Sequence, residues 1–125
     1  LLPLPVAHGE GRFVSGRRGA LAKLAGAGRV PLRYARADGS PAEEFPDNPN
    51  GAELAAAGVC NAAGNVLAMM PHPERVLDVG AIARSVGGEW GRRQREALAR
   101  GGDVALEDSP GMGLFEGLRA HLEDA

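Results

Sequence analysis

Apolar and polar positions alternate unevenly along the chain, and their rhythm predicts short strands first and helices later. Leu1 to Ala7 is apolar and strand-like, interrupted by Pro3 and Pro5. A glycine-bounded loop, His8-Gly9-Glu10-Gly11-Arg12, follows. Arg18 to Gly28 carries Leu21 and Leu24 among alanines and predicts a short helix stopped by glycine. Val30 to Ala35 predicts a strand, and Asp38 to Gly51 a loop dense in Pro, Asn, Asp and Gly. Leu54 to Asn61 and Val66 to Met70 predict two strands joined by Ala62-Ala63-Gly64-Asn65, a hairpin turn.

After Arg75 the rhythm becomes helical. Val76, Val79, Ile82, Ala83 and Val86 form a stripe at the 3.6-residue period, so Val76 to Val86 is expected to be a helix. Glu89 to Arg100 predicts a second helix. Its polar side carries Arg92, Arg93, Arg95 and Arg100, and its apolar side Trp90, Ala97 and Leu98. Gly101 to Gly111 reads as a linker. Gly113 to Glu123 reads as a terminal amphipathic helix with Leu114, Phe115, Leu118 and Leu122 at helical spacing. Strands followed by helices, with polar loops at strand ends, indicate an α/β layer.

Bulk properties narrow the function classes. The 125 residues suit one domain, and 44% hydrophobic with 24% charged residues is an ordinary globular balance. A net charge of -2 and 4% aromatic residues give no footprint for nucleic acid. The single cysteine, Cys60, excludes an internal disulfide framework and fits a reducing cytosol. No apolar run approaches the roughly 20 residues that span a bilayer. The first residues lack the charged start of a signal peptide. Because the chain begins with Leu, directly in apolar sequence, it is expected to start inside a domain.

The densest chemistry lies in Pro71-His72-Pro73-Glu74-Arg75. His72 and Glu74 are two positions apart at the end of an apolar run, which leaves their side chains on the same side. A carboxylate so placed can accept the ring N–H of the histidine, fix its tautomer and stabilise its protonated form. These are the base and the orienting group of a nucleophilic triad. The plain alternative is a proline-stiffened turn whose side chains face water.

Cys60, in Gly58-Val59-Cys60-Asn61, imitates a nucleophile elbow. An elbow needs a helix after it, and here a turn and another strand are predicted. With the hairpin centred on Ala63-Gly64, Cys60 pairs near Leu67 and His72 near Ala55. Five residues at ~3.4 Å each then separate Cys60 from His72 by about 17 Å, against the ~3 Å that proton transfer needs. Cys60 is therefore read as a small buried hydrophobe. His8, Glu10, His72 and Glu74 could supply a zinc set only if distant loops converged, so no metal is assigned. Asn48-Pro49-Asn50-Gly51 has turn chemistry throughout. The arginine-rich helix reads as a solvated face, with an acidic partner or phosphate as the rival reading.

Three segments together resemble one family. Pro5-Val6-Ala7-His8-Gly9-Glu10-Gly11-Arg12-Phe13, Asn48-Pro49-Asn50-Gly51 and Gly64 to Arg75 occur in that order in the glutamine amidotransferase subunit or domain of phosphoribosylformylglycinamidine (FGAM) synthase. The resemblance covers Pro3 to Arg75 and resumes at Gly111-Met112-Gly113-Leu114-Phe115. The stretch between, about residues 77–108, reads as an insertion.

The resemblance implies the C-terminal part of a flavodoxin-like class I glutamine amidotransferase domain, a mixed sheet flanked by helices, over residues 1–125. It implies glutamine hydrolysis that supplies ammonia to an FGAM synthase synthetase subunit or domain in cytoplasmic purine synthesis. It places the family's catalytic His and Glu on His72 and Glu74. No cofactor is expected in this domain, with ATP and Mg in the synthetase partner. The family's nucleophile elbow and oxyanion loop precede the region matching Leu1, so this chain is expected to hold the base and its orienter without the nucleophile. The competing expectation is a non-catalytic remnant that docks on the synthetase.

Overall fold

The structure, a computed structural model, describes residues 1–100 and 109–123. The chain divides into two compact units. One comprises Leu1 and Ala7–Met70, the other Leu2–Val6 and Pro71–Ala125.

The first unit is built on a three-stranded sheet. Helix α1 (Ala20–Gly26) precedes strand β1 (Leu32–Arg33), and β2 (Ala56–Cys60) and β3 (Leu67–Met69) form the hairpin. The strand order is β1-β2-β3, and both pairings are antiparallel. The described sheet is thus antiparallel, where a mixed one was expected. The hairpin register is as predicted, with Cys60 opposite Leu67. Gly64 takes the positive φ of 73° that the tight turn demands. Asn61 braces that turn by donating to Asn65 Oδ1 and accepting from the Val66 N–H.

The strand predicted over Val30 to Ala35 shrinks to two residues because its register with β2 is irregular after Leu32. Leu21, Val30 and Ala56 form this unit's buried cluster, with Phe13, Leu24, Ala25 and Val59 packed around it. Leu54 and Ala55 both adopt φ of 56°, a left-handed conformation rare for residues with a Cβ. They precede β2, and the carbonyls of both are held, by Arg33 and by the Tyr34 N–H respectively.

The second unit departs more from expectation. No strand forms over Leu1 to Ala7. Pro3 and Pro5 lack the N–H groups a ladder requires, although Pro5 O accepts the His72 N–H at 2.8 Å. The pairing predicted between His72 and Ala55 does not form. The hairpin's last bond runs from the Met70 N–H to Ala57 O, and Pro71 has no N–H to continue it.

Nor is Val76 to Val86 a helix. One single turn of 3-10 geometry precedes it, Pro73–Arg75, and a second, Val79–Ala81, stands within it instead. Asp78 caps the second by accepting the Gly80 N–H, and Asp and Gly both disfavour a helix interior. The apolar stripe is buried all the same. Val76, Val79 and Ile82 pack with Ala97, and Leu4, Val86 and Trp90 surround them. Full burial of a valine such as Val76 contributes about 1.5–3 kcal/mol.

Helix α2 (Gly88–Arg100) matches the prediction. Its buried face is Gly91, Gln94 and Ala97, with Trp90 packed against the core as expected; of the expected apolar side only Leu98 is exposed. Gln94 is buried because its amide donates to the carbonyls of Ile82 and Gly80, which the missing helix leaves open. Glu89 pairs with Arg92 and Arg93, and Glu96 with Arg92, on the exposed side. The predicted linker lies outside the described residues as far as residue 108. Helix α3 (Pro110–Glu123) starts earlier than expected. Pro110 is preorganised for a helix's first turn, and the Ser109 hydroxyl accepts the Met112 N–H at 3.1 Å as a cap.

Candidate functional site

Backbone contacts fix the turn that carries the candidate residues before any side chain matters. Pro71 and Pro73 are both buried and flank a half-buried His72. The His72 N–H is held by Pro5 O, and the His72 carbonyl accepts from the Arg75 N–H at 3.2 Å. The Pro73 carbonyl accepts from the Val76 N–H at 3.1 Å. Proline at the first helical position and glutamate within the first turn both suit the start of this short 3-10 turn.

His72 Nδ1 lies 2.7 Å from Glu74 Oε1. A carboxylate only accepts, so the proton of the bond sits on Nδ1 and Nε2 is the basic nitrogen of the neutral ring. Both side chains remain accessible, 36% for His72 and 55% for Glu74. Arg75 Nε stands 3.9 Å from the same Glu74 oxygen. The Glu74 backbone N–H first, then the His72 hydrogen bond and the nearby charges of His72 and Arg75, hold the Glu74 carboxyl below the usual glutamate range. The arrangement can take up a proton at Nε2 while Glu74 fixes the ring.

Cys60 is half-buried on β2, followed by the hairpin turn and β3, so the helix of an elbow is missing. Among the described residues, no group of three or more His, Cys, Asp or Glu side chains is arranged to hold a metal ion. None of the described helices is long and apolar enough to cross a membrane.

The first unit holds a polar cluster that the sequence did not reveal. Asn50 Nδ2 lies 2.9 Å from His8 Nδ1 and 2.9 Å from the Gly11 carbonyl. Its two hydrogens serve both, so His8 Nδ1 accepts and the ring proton is on Nε2. Arg12 donates to the Asn50 carbonyl at 3.0 Å. An added Cβ at Gly11 would sit 2.3 Å from the Met70 methyl and 2.9 Å from the His8 ring, so either side chain would have to shift to admit it. The His-Gly-Glu-Gly-Arg loop is thereby fastened to the Asn-Pro-Asn-Gly turn. The sequence signal was the presence of both motifs, but nothing in it paired them.

A histidine and a glutamate are thus joined on a proline-bounded turn among short strands and helices. The profile of the CobB/CobQ-like glutamine amidotransferase domain matches residues 1–117, and the chain belongs to that family. Its relatives include the phosphoribosylformylglycinamidine synthase subunit PurQ of Thermomicrobium roseum, 48% identical over 93 residues, or 74% of this chain and 36% of that subunit. The PurQ subunit of Thermosynechococcus vestitus is 50% identical over 78 residues, 62% of this chain and 31% of the subunit. That of Gloeobacter violaceus is 44% identical over 98 residues, 78% of this chain and 39% of the subunit. The chain therefore spans between 31% and 39% of the length of these relatives.

Proposed function

We propose that this chain supplies the base and the orienting carboxylate of a class I glutaminase, as the C-terminal part of a flavodoxin-like domain that feeds ammonia to FGAM synthase. The His72 Nδ1 to Glu74 Oε1 bond of 2.7 Å carries the reading. Identity of 44–50% to PurQ subunits supports the pathway.

In this proposal His72 Nε2 takes the proton of a cysteine thiol supplied from outside residues 1–125. The thiolate attacks the glutamine amide carbon, and His72 returns the proton to the departing ammonia. Water then hydrolyses the thioester under the same base. Glu74 keeps Nδ1 protonated, so that Nε2 is the nitrogen that takes up the proton and gives it back. General acid–base transfer of this kind contributes about 10²- to 10⁴-fold. The ammonia passes to a synthetase subunit or domain in the cytoplasm, where ATP and Mg serve the amidation. This domain needs no cofactor of its own. Residues 77–108 are an insertion between the conserved turn and the terminal helix.

The test is His72→Ala in the full-length glutaminase assembled with its synthetase. Glutamine-dependent synthesis should fall by about 10²-fold or more, while synthesis from added ammonium persists. Undiminished glutamine turnover overturns the assignment, as does loss of both activities in a folded variant. A wild-type full-length assembly that binds the synthetase and never turns over glutamine would establish the non-catalytic role instead.

A further inference from the structure

We propose that Gly111, assisted by Ser109, is a positioning residue for the His72–Glu74 pair, an inference that rests on the function proposed above. The N-terminal end of α3 meets the turn of that pair backbone to backbone at Gly111. The Gly111 N–H donates to Val76 O at 3.1 Å. A Cβ built on Gly111 would lie 2.1 Å from Pro73 O and 2.7 Å from Val76 O. Both partners are main-chain carbonyls, which cannot rotate aside as a flexible side chain would. Gly111 does not occupy the left-handed region, so its bare Cα is needed for space and not for conformational freedom. Gly113, two positions on, has nothing within 4 Å of its own Cβ position.

The contact reaches the site through one peptide plane. The Pro73 carbonyl and the Glu74 N–H belong to the same rigid unit. That N–H is the leading contributor to the lowered Glu74 carboxyl. Pushing Pro73 O away from α3 therefore tilts the peptide from which Glu74 is hung, and with it the acceptor of the His72 ring. Ser109 sets the approach. It is 2% exposed, its hydroxyl caps Met112 at 3.1 Å, and its carbonyl accepts the Gly113 N–H at 3.2 Å. A displacement near 1 Å in a group that aligns a reaction can cost about 10²-fold in rate.

The experiment is a double-mutant cycle on the full-length glutaminase assembled with its synthetase. Gly111→Ala should lower the glutaminase kcat by about 10- to 10²-fold, with KM for glutamine and ammonium-dependent synthesis little changed. The same substitution in a Glu74→Ala background should cost no further activity, because the acceptor it misplaces is already gone. Gly113→Ala should leave kcat as it is. Should Gly111→Ala not fold, as judged by circular dichroism, Ser109→Ala is put through the same cycle and should give a smaller loss that also vanishes with Glu74→Ala. Full activity in folded Gly111→Ala overturns the inference. So does an equal loss in both backgrounds for whichever variant is tested. If Glu74→Ala and His72→Ala themselves leave glutaminase activity intact, the failure lies in the function proposed above.

Discussion

Asn48 should be the polar residue whose removal most damages the first unit. It is 1% exposed, and its side chain makes three hydrogen bonds. Its Nδ2 donates to Ala42 O at 3.2 Å and to Ala52 O at 3.0 Å, and its Oδ1 accepts the Ala52 N–H at 2.9 Å. In Asn48→Ala the Ala52 carbonyl keeps the Ala55 N–H. The Ala42 carbonyl and the Ala52 N–H lose the bonds described here, at residues that are 0% and 5% exposed. Each buried group left unsatisfied costs about 1–3 kcal/mol, giving roughly 2–6 kcal/mol in all. That is a large part of the ~5–15 kcal/mol available to a small domain.

Asn48→Asp separates the two roles of the amide. It keeps the acceptor for Ala52 but turns a carboxylate toward two carbonyls, in a site that already disfavours charge. The folded-state pKa of this aspartate is raised above its unfolded value, so the folded protein binds more protons in that interval. Stability of the variant must then rise as pH falls through the folded pKa. Urea unfolding followed by circular dichroism gives the midpoints, and hydrogen exchange at the Ala52 amide gives the local effect. An Asn48→Ala variant within ~0.5 kcal/mol of the parent, the range of a surface change, would refute the reasoning. An Asn48→Asp variant whose deficit does not shrink toward acid would refute it equally.

The Glu74 carboxyl should titrate below the usual glutamate value, followed by carbon-13 NMR of the labelled side chain. Its folded pKa is depressed, so the pair's contribution is complete above the unfolded value and disappears as pH falls through the folded one. His72→Ala should return it only part of the way, because the larger contribution comes from Glu74's own backbone N–H; titration at or above the usual value would contradict the geometry. Two helical glycines should respond to alanine with opposite signs in thermal melts. Gly91→Ala drives a Cβ to within 2.0 Å of Val86 O and should cost about 1–3 kcal/mol, whereas Gly117→Ala meets nothing within 4 Å and should gain about 0.5–1 kcal/mol. Equal responses would show that α2 does not approach Val86 as described.

Elements whose cause is local were readable in advance. The β2–β3 hairpin follows from a turn of glycine and asparagine between apolar runs, and its register came out to the residue at Cys60 and Leu67. Helix α2 follows from its composition. The Val76 to Val86 segment misled because burial was mistaken for a period. Val76, Val79 and Ile82 are buried at spacings a helix would give, yet Asp78 accepts from Gly80 and closes a single turn. The core needed the side chains and took them from irregular backbone. The same error hid Gln94, which is buried because the absent helix leaves carbonyls for it to satisfy. The early strands failed for a related reason. Pairing needs a partner with free N–H groups in register, and Pro3, Pro5 and Pro71 remove them.

The site divides along the same line between local and distant causes. His72 and Glu74 could be read from sequence because two residues on one short turn must meet wherever that turn lies, and they do at 2.7 Å. His8 and Asn50 are 42 positions apart, so their motifs announced turns and loops while their mutual bond stayed invisible. Gly111 is the extreme case. It contributes no side chain, and its value is the distance of closest approach it allows to Pro73 and Val76. A glycine at a helix start reads in sequence as loop chemistry. Only the placement of two carbonyls against its Cα turns it into a specific requirement. The residues proposed to carry the chemistry are therefore the legible part of such a site. The residues that hold it still are found by asking what a single added carbon would strike.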